Sequence, residues 1–148
     1  MKRGKLDENS LRKMLELKSD GLSEKETTTG NSVIHCATTK KALILLMEKF
    51  RDQTDPEARN AFDQTPLHVF ALKDELGLVM TICAYGVDKD ARDMNGNTPL
   101  HIAVSAGNVD VARMLLCLGA NTNIKNRYKE TPRHLAARLS DKYGNVQI

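Results

Sequence analysis

A Thr-Pro-Leu-His pattern returns along this chain at one fixed interval, and that interval constrains the fold more than any other feature. It stands at Thr98-Pro99-Leu100-His101, inside the stretch Gly96 to Ala103, and 33 residues earlier at Thr65-Pro66-Leu67-His68. It recurs 33 residues later as Thr131-Pro132-Arg133-His134, and Gly30-Asn31-Ser32-Val33-Ile34-His35 is a degraded copy one period before the first. A chain written this way repeats one supersecondary unit, and each unit is too small to bury its apolar face alone. Neighbouring copies must therefore stack.

The clearest copy reads as the start of a helix. Thr98 is a capping residue type, and Pro99 supplies a preset φ at the first helical position, where no N–H is required. Leu100 is a core residue. His101, three residues past the cap, is placed to bond a hydroxyl or backbone group at the turn and tie adjacent hairpins together. Gly107-Asn108 then turns the chain, Val109, Val111, Met114 and Leu115 give a second helix its apolar stripe, and Gly119 ends it. The 148 residues have room for one domain or for four to five such units. An apolar fraction of 41% with no Trp, three Tyr and three Phe suits thin layers of packed helices better than an aromatic-centred sandwich.

A 33-residue period headed by Thr-Pro-Leu-His resembles the ankyrin repeat. The resemblance implies an all-α repeat solenoid, built of stacked helix-turn-helix repeats with β-hairpin tips. On that register residues 1–29 form a half repeat (outer helix plus hairpin), residues 30–63, 64–96 and 97–129 form repeats, and residues 130–148 form a partial terminal repeat. Leu11, Met14 and Leu15 lie at helical spacing, with Asn9 or Ser10 as N-cap. Ser32 is placed to cap a helix although Val33 replaces the proline, and a shortened link leads to an apolar helix from Ala42 to Phe50. Arg51 to Asn60 restores the register at Thr65, with Arg51 to Pro56 read as tolerated surface before contact. An inner helix from Thr65 to about Lys73 and an outer one from Leu76 or Leu78 to Tyr85, stopped by Gly86, follow. Phe70 stands where Ala103 and Ala136 stand one and two periods later, so its ring either pushes the neighbouring helix or fills a gap beside the irregular first repeat. After Leu139-Ser140 no apolar outer helix is expected, and the chain looks like part of something longer.

The formal charge is +3, and the basic excess is C-terminal: Lys125, Arg127, Lys129, Arg133, Arg138 and Lys142 against Glu130 and Asp141. Scattered cations without interleaved aromatics or a base-reading motif argue against nucleic acid as partner. Cys36, Cys83 and Cys117 are an odd number without a C-x-x-C pair or secretory signal, so the reading is a reducing, cytoplasmic setting, with Cys83 and Cys117 as packing residues. The longest apolar run, Ala42 to Met47, is too short to span a bilayer. His35, His68, His101 and His134 invite a metal or catalytic reading, but equivalent residues of stacked repeats stand about 8–10 Å apart, against Zn–N bonds of about 2.0–2.1 Å. With no nucleophile elbow, phosphate loop or H-E-x-x-H, the chain reads as neither an enzyme nor a metal or cofactor binder.

What remains is recognition. In ankyrin arrays partners are held by hairpin tips and by the solvent side of the inner helices. Matching that pattern to this sequence implies contacts at Asn60, Ala61, Phe62, Leu72 and Lys73; at Asp93, Met94, Asn95, Asn97, Ser105 and Ala106; and at Asn126, Arg127, Tyr128, Glu130 and Arg138. Phe62, Arg127 and Tyr128 lead the set, because aromatics and Arg are enriched in hot spots. The expected partner is a protein, with self-association or a downstream domain also open. The string from Thr65 to Arg92, Gly96 to Val104 and Glu130-Thr131-Pro132 further resembles the last ankyrin repeats of the calcium-independent phospholipase A2 family. That resemblance implies a regulatory or oligomerisation segment upstream of a patatin-like lipase domain, none of whose catalytic residues falls in these 148.

Overall fold

The computed structural model describes residues 28–143, and the helix expected near Leu11 lies outside the described residues. Six helices and no strand are found among them: α1 (Lys40–Lys49), α2 (Pro66–Leu72), α3 (Leu76–Ala84), α4 (Pro99–Ser105), α5 (Val109–Cys117) and α6 (Pro132–Tyr143). Inner helices α2, α4 and α6 pack side by side in one layer, and outer helices α1, α3 and α5 in a second. The turn between α2 and α3 uses Asp74 at φ +58° and that between α4 and α5 uses Gly107 at +75°, one period apart.

The caps follow from the repeated motif. Thr65 Oγ1 accepts the backbone N–H of His68, and the Thr65 N–H returns to His68 Nδ1 at 3.1 Å. Thr98 and His101 repeat this reciprocal box, with the Thr98 N–H reaching Nδ1 at 3.1 Å. Histidine thus does what Glu or Gln does in the usual capping box, satisfying two donors orphaned at a helix start.

The first copy departs from the expectation. Ser32 binds His35 Nδ1 through both its N–H (3.0 Å) and its hydroxyl (2.8 Å), yet no α-helix follows. Residues 33–36 form a turn closed by Cys36 N–H to Val33 O (3.1 Å) and Ala37 N–H to Ile34 O (3.1 Å). With Val33 in place of proline and a short link, the chain goes straight to a new cap, Thr39, which accepts the Ala42 N–H at 3.1 Å and starts α1 two residues before Ala42. Phe70 is 1% exposed and joins Val33, Ile34, Ala37 and Leu43 in one core cluster.

The last copy departs as well. Ser140 occupies the register position of Asp74 and Gly107, but it is helical, so α6 runs on to Tyr143 where α2 and α4 stop after seven residues. Cys83 is half-buried against the core, whereas Cys117 is exposed at the end of α5, which corrects its reading as a packing residue. No disulfide joins the three cysteines. No helix among the described residues is long and apolar enough to cross a membrane.

Candidate partner-binding surface

Five sets of bonds recur between copies and hold the tips in a row, one of them from Asn60 Nδ2 to Asn31 Oδ1 (2.9 Å) and from Asn126 Nδ2 to Asn97 Oδ1 (3.0 Å). Each core histidine spans to the following repeat: His35 Nε2 meets Gln64 O at 2.8 Å, His68 Nε2 meets Asn97 O at 2.8 Å, and His101 Nε2 meets Glu130 O at 2.9 Å. Because Nδ1 already accepts a backbone N–H, Nε2 carries the proton and donates to the carbonyl. Backbone bonds link the tips directly, from Ala61 N–H to Thr29 O (2.8 Å), Met94 N–H to Phe62 O (3.2 Å) and Arg127 N–H to Asn95 O (2.9 Å). The expected β-hairpins are therefore turns joined edge to edge, without strands among the described residues.

The other two sets were not anticipated. Arg59 donates to Arg92 O and Arg92 donates to Lys125 O (2.6 and 2.8 Å), each reaching 33 residues forward. Glu57 accepts the Asp88 N–H at 2.9 Å and Asp90 the Asn121 N–H at 2.8 Å, each across 31 residues. The signal was in the sequence, since Arg59, Arg92 and Lys125 share one register position and Glu57 and Asp90 another. Charged residues at loop positions read as solvated, so a shared register alone does not mark them as bridges.

Burial desolvates the imidazoles of His68 and His101 and lowers both pKa values from 6.5, and the carbonyl bonds at Asn97 and Glu130 oppose this only in part. The neutral, Nε2-protonated ring is the form that the stack is built on. No three His, Cys, Asp or Glu side chains gather into a metal-binding group among the described residues.

Within this frame the expected contact residues separate into two kinds. Asn60, Asp93 and Asn126 are only 9%, 8% and 7% exposed. Asn60 Oδ1 accepts the N–H groups of Phe62 and Gln64, Asp93 Oδ1 those of Asn95 and Asn97, and Asn126 Oδ1 those of Tyr128 and Glu130, all at 2.9–3.1 Å. These three side chains shape the tips from inside. Asn97 is half-buried and its Oδ1 accepts from Asn126 Nδ2 at 3.0 Å, so it belongs with them.

The second kind faces outward. Phe62 is 49% exposed, Met94 59% and Tyr128 67%, and Ala61 and Arg127 are exposed beside them. Asn95 is half-buried and holds Arg127 Nη1 at 3.3 Å. Leu72, Lys73, Ser105 and Ala106 are exposed at the ends of α2 and α4, and Arg138 on α6 pairs with half-buried Glu130 at 2.9 Å. The Arg51 to Pro56 loop is tied to α1 by the Thr54 hydroxyl, which donates to Phe50 O at 2.8 Å. The loop walls an open groove of about 560 Å³ lined by Met47, Glu48, Arg51 and Tyr85 on the outer-helix side.

Paired layers of capped helices with side-chain bonds running from copy to copy define a helical repeat solenoid. A family model described as ankyrin repeats, in three copies, matches residues 34–126, and the chain belongs to the ankyrin-repeat family. Arrays of this family are protein–protein interaction modules, and the family is not a catalytic one. A search of curated proteins gives no match to the chain.

Proposed function

We propose that this chain binds a protein partner through its outward-facing tips and the adjoining ends of its inner helices. The observation that carries the reading is the row Phe62, Met94 and Tyr128, large apolar side chains half to two-thirds exposed on turns cross-linked backbone to backbone. Large apolar groups held out on a rigid frame bind with little ordering cost, because the backbone that carries them is already fixed. Leu72, 51% exposed at the end of α2, extends the apolar area toward the inner helices. Asn95, Ser105, Ala106 and Lys73 would form its polar surround, and Glu130 would serve by fixing Arg138.

The test is affinity capture with the wild-type chain beside a Phe62→Ser, Met94→Ser, Tyr128→Ser variant, each checked for helicity by circular dichroism. Partners retained by the wild type and lost from the folded variant support the reading. A partner set that the variant keeps unchanged places the contact elsewhere, with the outer-helix groove beside Tyr85 the next surface to examine.

A finer reading, a regulatory or oligomerisation segment of a calcium-independent phospholipase A2, rests on the Thr65 to Pro132 string alone. Continuing the reading frame past Ile148 tests it: a G-x-S-x-G after a Gly-rich strand within a few hundred residues supports a lipase domain, and its absence ends the reading.

A further inference from the structure

The tip row is chemically graded from one end to the other. At the Phe62 tip, between Arg59 and Gln64, one cation, Arg59, stands against one carboxylate, Asp63, a formal net of zero, and the two pair at 3.8 Å. At the Tyr128 tip, over the equivalent residues Lys125 to Glu130, three cations, Lys125, Arg127 and Lys129, stand against the single carboxylate of Glu130, a formal net of +2. Arg138 already takes that carboxylate at 2.9 Å, so no ion pair engages Lys125, Arg127, Lys129 or Arg133 among the described residues.

At the basic end one cation, Arg127, lies over the most exposed aromatic. The Arg127 guanidinium carbon lies 5.6 Å from the centroid of the Tyr128 ring, and its Nη1 is steadied by Asn95 Oδ1 at 3.3 Å. A guanidinium has five N–H donors in a planar fork, so most of that fork remains open to an incoming carboxylate, which it can grip in bidentate fashion. Stacking on the ring restricts its motion, and its weak hydration makes the contact less costly than one to an ammonium group. Farther along the row, Met94 and Phe62 offer only apolar surface, and the thioether chain of Met adapts to irregular side chains.

We propose that the tip row receives an extended protein segment that combines acidic and apolar side chains, its acidic part over the Arg127–Tyr128–Lys129 tip and its apolar part over Met94 and Phe62. The inference rests on the partner-binding reading of the tips. Single-stranded nucleic acid also uses aromatics and cations, but it needs cations along its whole track, and the Phe62 tip pairs its one cation with Asp63 and offers no net positive charge to a continuous phosphate chain. An anionic membrane surface meets the same lack of net positive charge at that end.

The experiment selects binders to the intact chain from a displayed library of random peptides and then measures the enriched peptide, dye-labelled, by fluorescence anisotropy. The expected result is an excess of Asp and Glu beside Leu, Phe or Met, an affinity that falls severalfold as salt is raised from low to physiological strength, and at least a tenfold loss on Arg127→Glu with Lys129→Glu. Enriched peptides without an acidic excess, or equal binding by the charge-reversed chain, overturn the inference while leaving the tip surface standing, provided that Tyr128→Ser still weakens them. Binding indifferent to Phe62→Ser, Met94→Ser and Tyr128→Ser removes the tip reading and this inference with it. A single-stranded oligonucleotide that binds more tightly than every selected peptide overturns the inference in favour of nucleic acid.

Discussion

The histidines at the head of each repeat show how one residue type fixes both a helix start and a repeat interface. Nδ1 faces a backbone N–H and Nε2 faces a carbonyl, so a second proton on the ring of His68 or His101 would set an N–H against an N–H in a buried place. Both groups have folded pKa values below the unfolded 6.5, so their contribution to stability is fully present above pH 6.5 and is lost as pH falls from there through the depressed folded values. Thermal melts taken in steps downward from neutral pH should show a drop in Tm beginning near pH 6.5, and His68→Asn should flatten part of that drop while lowering Tm at neutral pH. Lys129 offers a test in the opposite direction. It holds φ +61° at the register position of Gly30 and Gly96, in the left-handed region that disfavours a β-carbon. Lys129→Gly should raise stability by up to about 1 kcal/mol, the strain relieved exceeding the added unfolded-state entropy, as read by urea denaturation.

Among the elements, α2 and α4 have the same length and the same caps, yet they meet different neighbours. In place of an inner helix the copy before α2 has a turn at residues 33–36, and Phe70 on α2 is buried; α4 has inner helices on both sides and carries a buried Ala103 at the same register. Phe70→Ala should therefore cost about 3–5 kcal/mol, the usual range for emptying an aromatic site. Ala103→Phe should cost about 1–3 kcal/mol through overpacking, because no shortened neighbour leaves it room. Equilibrium unfolding of the two variants checks both values, and a neutral Ala103→Phe would mean that the register position accepts a ring anywhere in the stack. The elongated α6 has a parallel explanation, since Ser140 does not take the left-handed turn that Asp74 and Gly107 supply.

For the molecule as a whole, stability in a stack of repeats is close to a sum of each unit and its contacts with its neighbours. Inner helix α4 packs against α2, α5 and α6, whereas α6 packs chiefly against α4 among the described helices. Amide exchange measured by mass spectrometry should accordingly be fastest in α6 and slowest in α4, and equal protection of the two would contradict an additive stack. The sequence by itself determined the period, the Thr and Pro that start α2, α4 and α6, the paired helices of the middle repeats and the bridging role of the histidines. All of these rest on interactions within a few residues, or on a register that simply repeats. Only the tertiary structure decided that Asn60, Asp93 and Asn126 turn inward while Phe62, Met94 and Tyr128 face out, that Ser32 caps no helix, and that Cys117 is exposed. The inward turn of the three tip side chains rests on bonds two and four residues along within each tip, reinforced for Asn60 and Asn126 by bonds to a copy 29 residues away, and polar residues at a tip look alike in sequence whether they hold the turn together or stand free to meet a partner.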